Sequence, residues 1–194
     1  LTLGPWAAAE GMLKAPIRWQ DWKYLSFCRI AIWTVGGKLK ILDPQRVAFL
    51  HGEPVVIVSN HESLLDGPAI VCALRHRSVR FVIKAELLRV PILGWSLAAS
   101  GCVPVRRGAR AKESVERLQD LGQRSQADVV FFAEGTRSRD GSFREFKKGA
   151  FHHAIATGRA ILPVGIGGAY ECLAPDSFDS ESRPVVLAMG DPIP

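Results

Sequence analysis

From Val47 onward, short apolar runs alternate along the chain with longer stretches in which apolar residues return every third or fourth position. Val55–Ser59, Arg80–Ile83, Cys102–Val105, Val129–Phe132, Ile161–Ile166 and Val185–Met189 are brief, apolar and rich in β-branched or aromatic residues, the pattern of strands. Between them, Ser63–Leu74 reads as a helix with a polar start and Leu87–Ala99 as mostly helix or loop. Lys112–Arg124 reads as an amphipathic helix on Val115, Leu118 and Leu121. Ala150–Thr157 reads as a helix stopped by Gly158. Helices set between apolar strands predict a three-layer α/β domain with a largely parallel sheet flanked by helices. The polar, acidic stretch Leu173–Pro184, with two prolines, reads as a surface loop, and no internal repeat is visible.

The first forty residues follow another pattern. Trp6, Leu13, Ile17, Trp19, Trp22, Phe27, Ile30 and Trp33 are interleaved with Lys14, Arg18, Lys23, Arg29, Lys38 and Lys40, and four of the five Trp lie here. Pro16 and Gly36-Gly37 divide the stretch into two amphipathic helical pieces. Trp and cationic residues on one helix suit a membrane interface, where rings sit at headgroup level and cations meet anionic lipid. The same pattern also suits a helical pair that packs its Trp side chains on a protein core. The domain reading is therefore 1–40, an N-terminal amphipathic helical pair of interfacial character, and 41–194, the α/β domain.

Composition narrows the partners. With 194 residues and 47% apolar content the chain supports a real core. Cys28, Cys72, Cys102 and Cys172 show no Cys-x-x-Cys spacing, so neither a zinc site nor a disulfide scaffold is indicated, and no metal is expected. Residues 1–160 carry 24 Lys/Arg against 14 Asp/Glu, whereas residues 161–194 carry 1 against 5. A basic body suits an anionic partner such as phosphate-bearing lipid or an acidic carrier protein. Nucleic acid is not expected, because aromatics are 8% of the chain and no stacking motif or basic recognition helix occurs. The longest uncharged run, Val90–Val105, is interrupted by Pro91, Gly94, Gly101 and Pro104 and does not read as a membrane span.

Two segments carry the chemistry. In Asn60-His61-Glu62-Ser63-Leu64-Leu65-Asp66 an imidazole and a carboxylate follow directly on a strand end. An imidazole takes a proton near neutral pH, and a carboxylate fixes its tautomer and stabilises the cation formed. In the second segment, Val129–Phe132 runs into Ala133-Glu134-Gly135-Thr136-Arg137-Ser138, with Arg139, Arg144, Lys147 and Lys148 close behind. Gly lets backbone amides approach an anion, and the planar Arg fork matches phosphate oxygens. Ser63 lacks a Gly-x-Ser-x-Gly elbow and reads as a helix cap rather than a nucleophile.

With these segments in this order, the chain resembles the glycerolipid acyltransferases, typified by 1-acyl-glycerol-3-phosphate acyltransferases. The family's His-x4-Asp is matched by His61 and Asp66. Its strand ending in Arg is matched by Gly101–Arg107, its Glu-Gly-Thr-Arg-Ser by Glu134–Ser138, and its apolar run with Pro by Ile161–Val164. Lys84-Ala85-Glu86-Leu87 and Phe146–Phe151 look familiar as well, so the likeness covers roughly residues 50 to 170. Ala133 stands where the family often has Pro, a change expected to alter turn stiffness. Pro104 and Arg106 replace a common aromatic and Asp, and Arg107 is taken as the match to the motif's Arg.

The resemblance implies acyl transfer from a fatty acyl thioester to the free hydroxyl of a lysophospholipid, with 1-acyl-glycerol-3-phosphate as acceptor and phosphatidate as product. His61 is the expected base and Asp66 its orienting carboxylate. Arg107, Glu134, Gly135, Thr136, Arg137 and Lys84 are the expected substrate-binding residues, with Glu134 positioning an Arg or accepting from a glycerol hydroxyl. No cofactor is implied beyond acyl-CoA or acyl carrier protein as co-substrate. The expected setting is a membrane surface on the cytoplasmic face. A different lysolipid acceptor, a thioesterase, and a phospholipid-binding or transfer module without chemistry are the rival readings.

Overall fold

A computed structural model describes residues 17–46, 52–91, 93–106, 116, 118–120, 122, 125–175 and 179–194. Among the described residues, seven strands form one sheet: β1 (Lys38–Leu42), β2 (Val56–Ser59), β3 (Val79–Lys84), β4 (Val103–Val105), β5 (Asp128–Phe132), β6 (Ile161–Gly167) and β7 (Pro184–Met189). Their spatial order is β1-β7-β6-β2-β5-β3-β4. The five strands from β6 to β4 are mutually parallel; β7 runs antiparallel to β6, and β1 pairs parallel to β7. The mixed α/β class read from the alternation of strands and helices is the class observed.

Central strands of a parallel sheet are covered on both faces, which explains their continuous apolar character. All four residues of β2 are buried. Alternate side chains feed two cores. Ile57, Val130, Leu162, Val164 and Ile166 face one layer, and Val56, Val58, Val129 and Phe131 face the other. The first layer holds α1 (Ile17–Thr34) and α2 (Asp66–Ala73), with α3 (Leu93–Ala99) beyond a 3-10 turn at Ala85–Arg89. The second holds α4 (Gly149–Thr157) and buried Leu118, from the segment expected to be a helix over 112–124 and described here only in part. Gly158, at φ 63°, ends α4 in the left-handed conformation that glycine adopts without penalty. A short helix, α5 (Ala169–Cys172), follows β6.

Three elements differ from the sequence reading. Lys38–Lys40, read as the end of the helical stretch, begin edge strand β1, whose alternating lysines are exposed and whose Leu39 and Ile41 turn inward. The helix expected from Ser63 begins at Asp66, because the preceding residues are folded into a hydrogen-bonded loop. The stretch after Cys172 includes a bridge between Leu173 and Ser180 rather than loop alone.

The first helix expected of the N-terminal pair lies outside the described residues. Its second, α1, buries Cys28 and Ile32 in the core and exposes Trp22, Phe27, Ile30 and Trp33. Among the described residues no helix is long and apolar enough to cross a membrane. At the amino ends of the strands, Arg77 grips Asp128 with Nε at 2.6 Å and Nη2 at 2.7 Å, and Asp128 accepts the Val55 amide at 2.9 Å.

Candidate active site

The site grows out of the register of three adjacent strands. Ser59, the last residue of β2, sits between Phe132 of β5 and Val164 of β6. Past it, Asn60 continues the ladder with its side chain: Nδ2 donates to the Ile166 carbonyl and Oδ1 accepts the Ile166 amide, both at 2.8 Å. His61 leaves the sheet edge next. Its amide donates to Glu134 Oε1 at 3.1 Å, and its carbonyl accepts from the Ser138 amide at 2.7 Å. Glu62, 8% exposed, turns away and accepts the Ala169 and Tyr170 amides on Oε1. Burial is the main cause that raises the Glu62 carboxyl above its ordinary value, the Tyr170 amide opposes it, and nearby Asp66 adds to the rise.

Asp66 is the first residue of α2 and fully buried. Its Oδ2 accepts three hydrogen bonds, from His61 Nδ1 at 2.7 Å, the Glu62 amide at 2.7 Å and the Ser63 amide at 2.8 Å. These donors and the positive end of the helix offset the cost of burying a carboxylate. Asp66 Oδ1 has no hydrogen-bond partner among the described residues. With Nδ1 directed at the carboxylate, the neutral imidazole carries its proton there and leaves the Nε2 lone pair for an incoming proton. The imidazole, with 20% of its side chain exposed, lies flat against Phe132 at a centroid distance of 3.9 Å and an interplanar angle of 12°. Phe81 backs Phe132 at 5.9 Å.

Ser63 is not the helix cap expected of it. Its hydroxyl donates to the Leu173 carbonyl at 2.7 Å and accepts the Leu65 amide at 3.2 Å, closing the loop before the helix starts. Asp66, inside the helix, reaches back to the Glu62 and Ser63 amides that precede it and so ties the loop to the helix start.

The Glu134 segment is locked to the same loop. Glu134 is 4% exposed, and while Oε1 takes the His61 amide, Oε2 accepts the Arg144 amide at 3.2 Å. It thus positions an Arg through the main chain. Gly135, at φ 69°, closes the turn with its amide on the Phe132 carbonyl. Ala133 donates to the Ser59 carbonyl at 2.9 Å, a bond that Pro at this position has no N–H to make, so the change adds a tie and not flexibility alone.

Thr136 and Arg137 are half-buried in the following turn, and Lys84 is exposed at the carboxyl end of β3. Arg106 follows β4 half-buried, and Arg107 lies outside the described residues. The parallel topology therefore brings His61, Lys84, Glu134 to Arg137 and Arg106 to one sheet edge, where open α/β sheets bind their ligands. Asn60, Glu62 and Phe132, which fix the loop and the ring, were not singled out by the motifs; Phe132 carries no signal beyond its place at a strand end.

Other histidines stand apart. His76 accepts from Arg75 Nε at 3.0 Å, His152 is exposed, and His51 lies outside the described residues. His153 is 5% exposed against Phe131, and its ring nitrogens have no hydrogen-bond partner among the described residues. A groove of about 840 Å³ lies between α1, β1 and the end of α2, lined in part by Ile32, Trp33, Leu39 and Arg75, and none of the described site residues borders it.

Residues 39–167 match the family model described as Acyltransferase. That span takes in β2 to β6, all of β1 but its first residue, and every site segment. The chain belongs to the acyltransferase family.

Among its relatives, the chloroplastic 1-acyl-sn-glycerol-3-phosphate acyltransferase of Arabidopsis thaliana is 39% identical over 117 residues, 59% of this chain and 32% of that protein. The 1-acyl-sn-glycerol-3-phosphate acyltransferase beta of Homo sapiens is 33% identical over 141 residues, 71% of this chain and 49% of that protein. The crystal structure of the 1-acyl-sn-glycerophosphate (LPA) acyltransferase PlsC of Thermotoga maritima superposes with a TM-score of 0.73 at 25% identity, covering 89% of this chain and 68% of that one. The acyltransferase chain thus spans about a third and about a half of the length of these two curated relatives.

Proposed function

We propose that this acyltransferase-family chain transfers a fatty acyl group from a thioester to the free hydroxyl of a lysophospholipid, with 1-acyl-glycerol-3-phosphate as acceptor and phosphatidate as product. The observation that carries the reading is one chain of contacts. Asp66 holds His61 by its ring at 2.7 Å, and Glu134, opening the Glu-Gly-Thr-Arg-Ser segment, holds His61 by its amide at 3.1 Å. A proton acceptor and an anion-binding turn are thereby fixed to each other at one sheet edge.

In the reaction, His61 Nε2 takes the proton of the acceptor hydroxyl as its oxygen attacks the thioester carbonyl carbon. Asp66 stabilises the imidazolium that forms, and the face of Phe132 adds a cation–π contact. Collapse of the tetrahedral intermediate breaks the C–S bond, and the imidazolium returns its proton to the thiolate, giving ester and free thiol with no acyl-enzyme. Arg137, Thr136 and the Gly135 turn hold the acceptor phosphate with Lys84 and Arg107. Losing one charge-assisted contact of this kind costs about 1.5–3 kcal/mol. The thioester is acyl-CoA or acyl carrier protein, and no other cofactor takes part.

The membrane surface at the cytoplasmic face is the proposed setting, supported by the relatives' lipid substrates and by the exposed Trp22, Phe27, Ile30 and Trp33 of α1. The segment 1–40 is proposed as the interfacial helical pair. Incubating the purified chain with labelled acyl thioester, with and without a panel of lysophospholipids, tests the reading. Labelled diacyl product that depends on lysophosphatidate supports it; free acid in either arm would select a thioesterase, and unchanged thioester a binding module.

A further inference from the structure

The loop between the Glu-Gly-Thr-Arg-Ser turn and α4 has a feature that neither catalysis nor the fold uses. Residues 139–149 are exposed without interruption, and two of them are large aromatics, Phe143 at 75% and Phe146 at 46% exposure. Burying an exposed Phe is among the larger single gains available to a folded chain, and here two stand three residues apart in one exposed loop. Hydrogen bonds tie the loop at several points. Asp140 Oδ1 accepts from the Ser138 hydroxyl and from the amide and hydroxyl of Ser142, and Tyr170 donates to the Arg139 carbonyl at 3.0 Å. The Arg144 amide is held by Glu134, and the Lys147 amide by the Ala133 carbonyl.

Charge identifies the partner's sign. Residues 139–148 carry four cations, Arg139, Arg144, Lys147 and Lys148, against Asp140 and Glu145. The topology extends the apolar display beyond this loop. Leu64, 58% exposed, follows β2, and Val90, 43% exposed, follows β3. Strands β2, β5 and β3 are parallel neighbours, so exposed apolar residues after all three stand at the sheet edge from which His61 opens. Aromatics among cations on an edge rather than in a groove fit a flat anionic layer with an apolar interior.

We propose that the loop Arg139–Lys148 inserts Phe143 and Phe146 into an anionic lipid bilayer and so seats the His61 edge directly on the membrane. This deepens the acyl-transfer reading by naming how the site meets its lipid acceptor, and it assigns docking to a surface other than α1.

The experiment places an environment-sensitive fluorophore at Phe143→Cys and, in a second protein, at Glu53→Cys. Glu53 is exposed just before β2, at the opposite edge of the sheet. Each labelled full chain is mixed with phosphatidylcholine vesicles containing or lacking about a third phosphatidylglycerol. A blue shift at position 143 with anionic vesicles, reduced without phosphatidylglycerol and absent at position 53, is expected. In flotation with unlabelled protein, Phe143→Ser should lower vesicle affinity roughly tenfold. The same variant should keep its turnover on a short-chain, monomeric lysophosphatidate.

A shift at position 53 in place of 143 would overturn the proposal, as would Phe143→Ser and Phe143→Ser/Phe146→Ser proteins that bind like the wild type. So would a shift at 143 that an acidic carrier protein produces and vesicles do not. Because the shift needs no turnover, a chain that docks without transferring acyl groups would sink the catalytic reading and leave the docking surface standing.

Discussion

His61 lies on Phe132 with the two rings nearly parallel and 3.9 Å apart. The contact joins the loop after β2 to the last residue of β5, and it does for the imidazole's tilt what Asp66 does for its rotation. A ring pressed on an aromatic face also gains when it becomes cationic, by about 0.5–2 kcal/mol. For Phe132→Leu, which keeps an apolar floor without the π face, kcat is expected to fall about 3- to 30-fold with little change in acceptor KM. Phe132→Tyr should keep most of the rate. Steady-state kinetics on the pair separates stacking from simple packing.

Asp66→Asn tests the orienting carboxylate. The amide can still accept from the loop on one oxygen, yet its NH₂ cannot replace a carboxylate beside an imidazolium. Acyl transfer is expected to drop about 10²- to 10⁴-fold, the range typical of positioned base catalysis. Asp66→Ala leaves His61 and two loop amides unpaired in a buried place, so a melting temperature several degrees lower is expected there as well.

Glu134→Gln addresses the clasp between the two motifs. Gln retains one acceptor oxygen, so either the His61 or the Arg144 amide must face an NH₂ group. A stability loss of about 1–3 kcal/mol in denaturant unfolding is expected, accompanied by reduced turnover. Unchanged stability together with a raised acceptor KM would instead make Glu134 a direct substrate contact.

His153 provides a pH prediction away from the site. Burial, with Arg159 adding to the effect, lowers its pKa from 6.5 to about 4, so the fold favours the neutral ring. The unfolded chain then binds the proton more readily, and the stabilisation is fully present above about pH 6.5 and lost as pH falls from there toward 4. The size is on the order of 3 kcal/mol. Thermal melts of His153→Leu across pH 4–7 should be flatter than those of the wild type over that window.

Much of this molecule is legible in its residues, and the exceptions share a cause. Central strands such as Val129–Phe132 announce themselves because a parallel strand covered on both faces is apolar throughout. Lys38–Leu42 does not, because its lysines point to solvent and its strand character depends on pairing with Pro184–Met189, far away in sequence. The His61 and Asp66 pairing is local, five residues apart, and could be proposed from spacing. Phe132 under the ring depends on Ser59 standing beside it in the β2–β5 register, which no local pattern specifies. Glu134 was singled out by its motif, but its partners are two main-chain amides, and main-chain partners leave no trace in side-chain identity.

In the proposed reaction His61 removes the hydroxyl proton of the acceptor. The most direct test of this step is single-turnover transfer of a labelled acyl group from thioester to lysophosphatidate, measured for wild type and His61→Ala after matching circular dichroism spectra and melting temperatures. Labelled phosphatidate should form with the wild type and fall at least about a hundredfold with the variant. A folded His61→Ala protein transferring at the wild-type rate would contradict the mechanism.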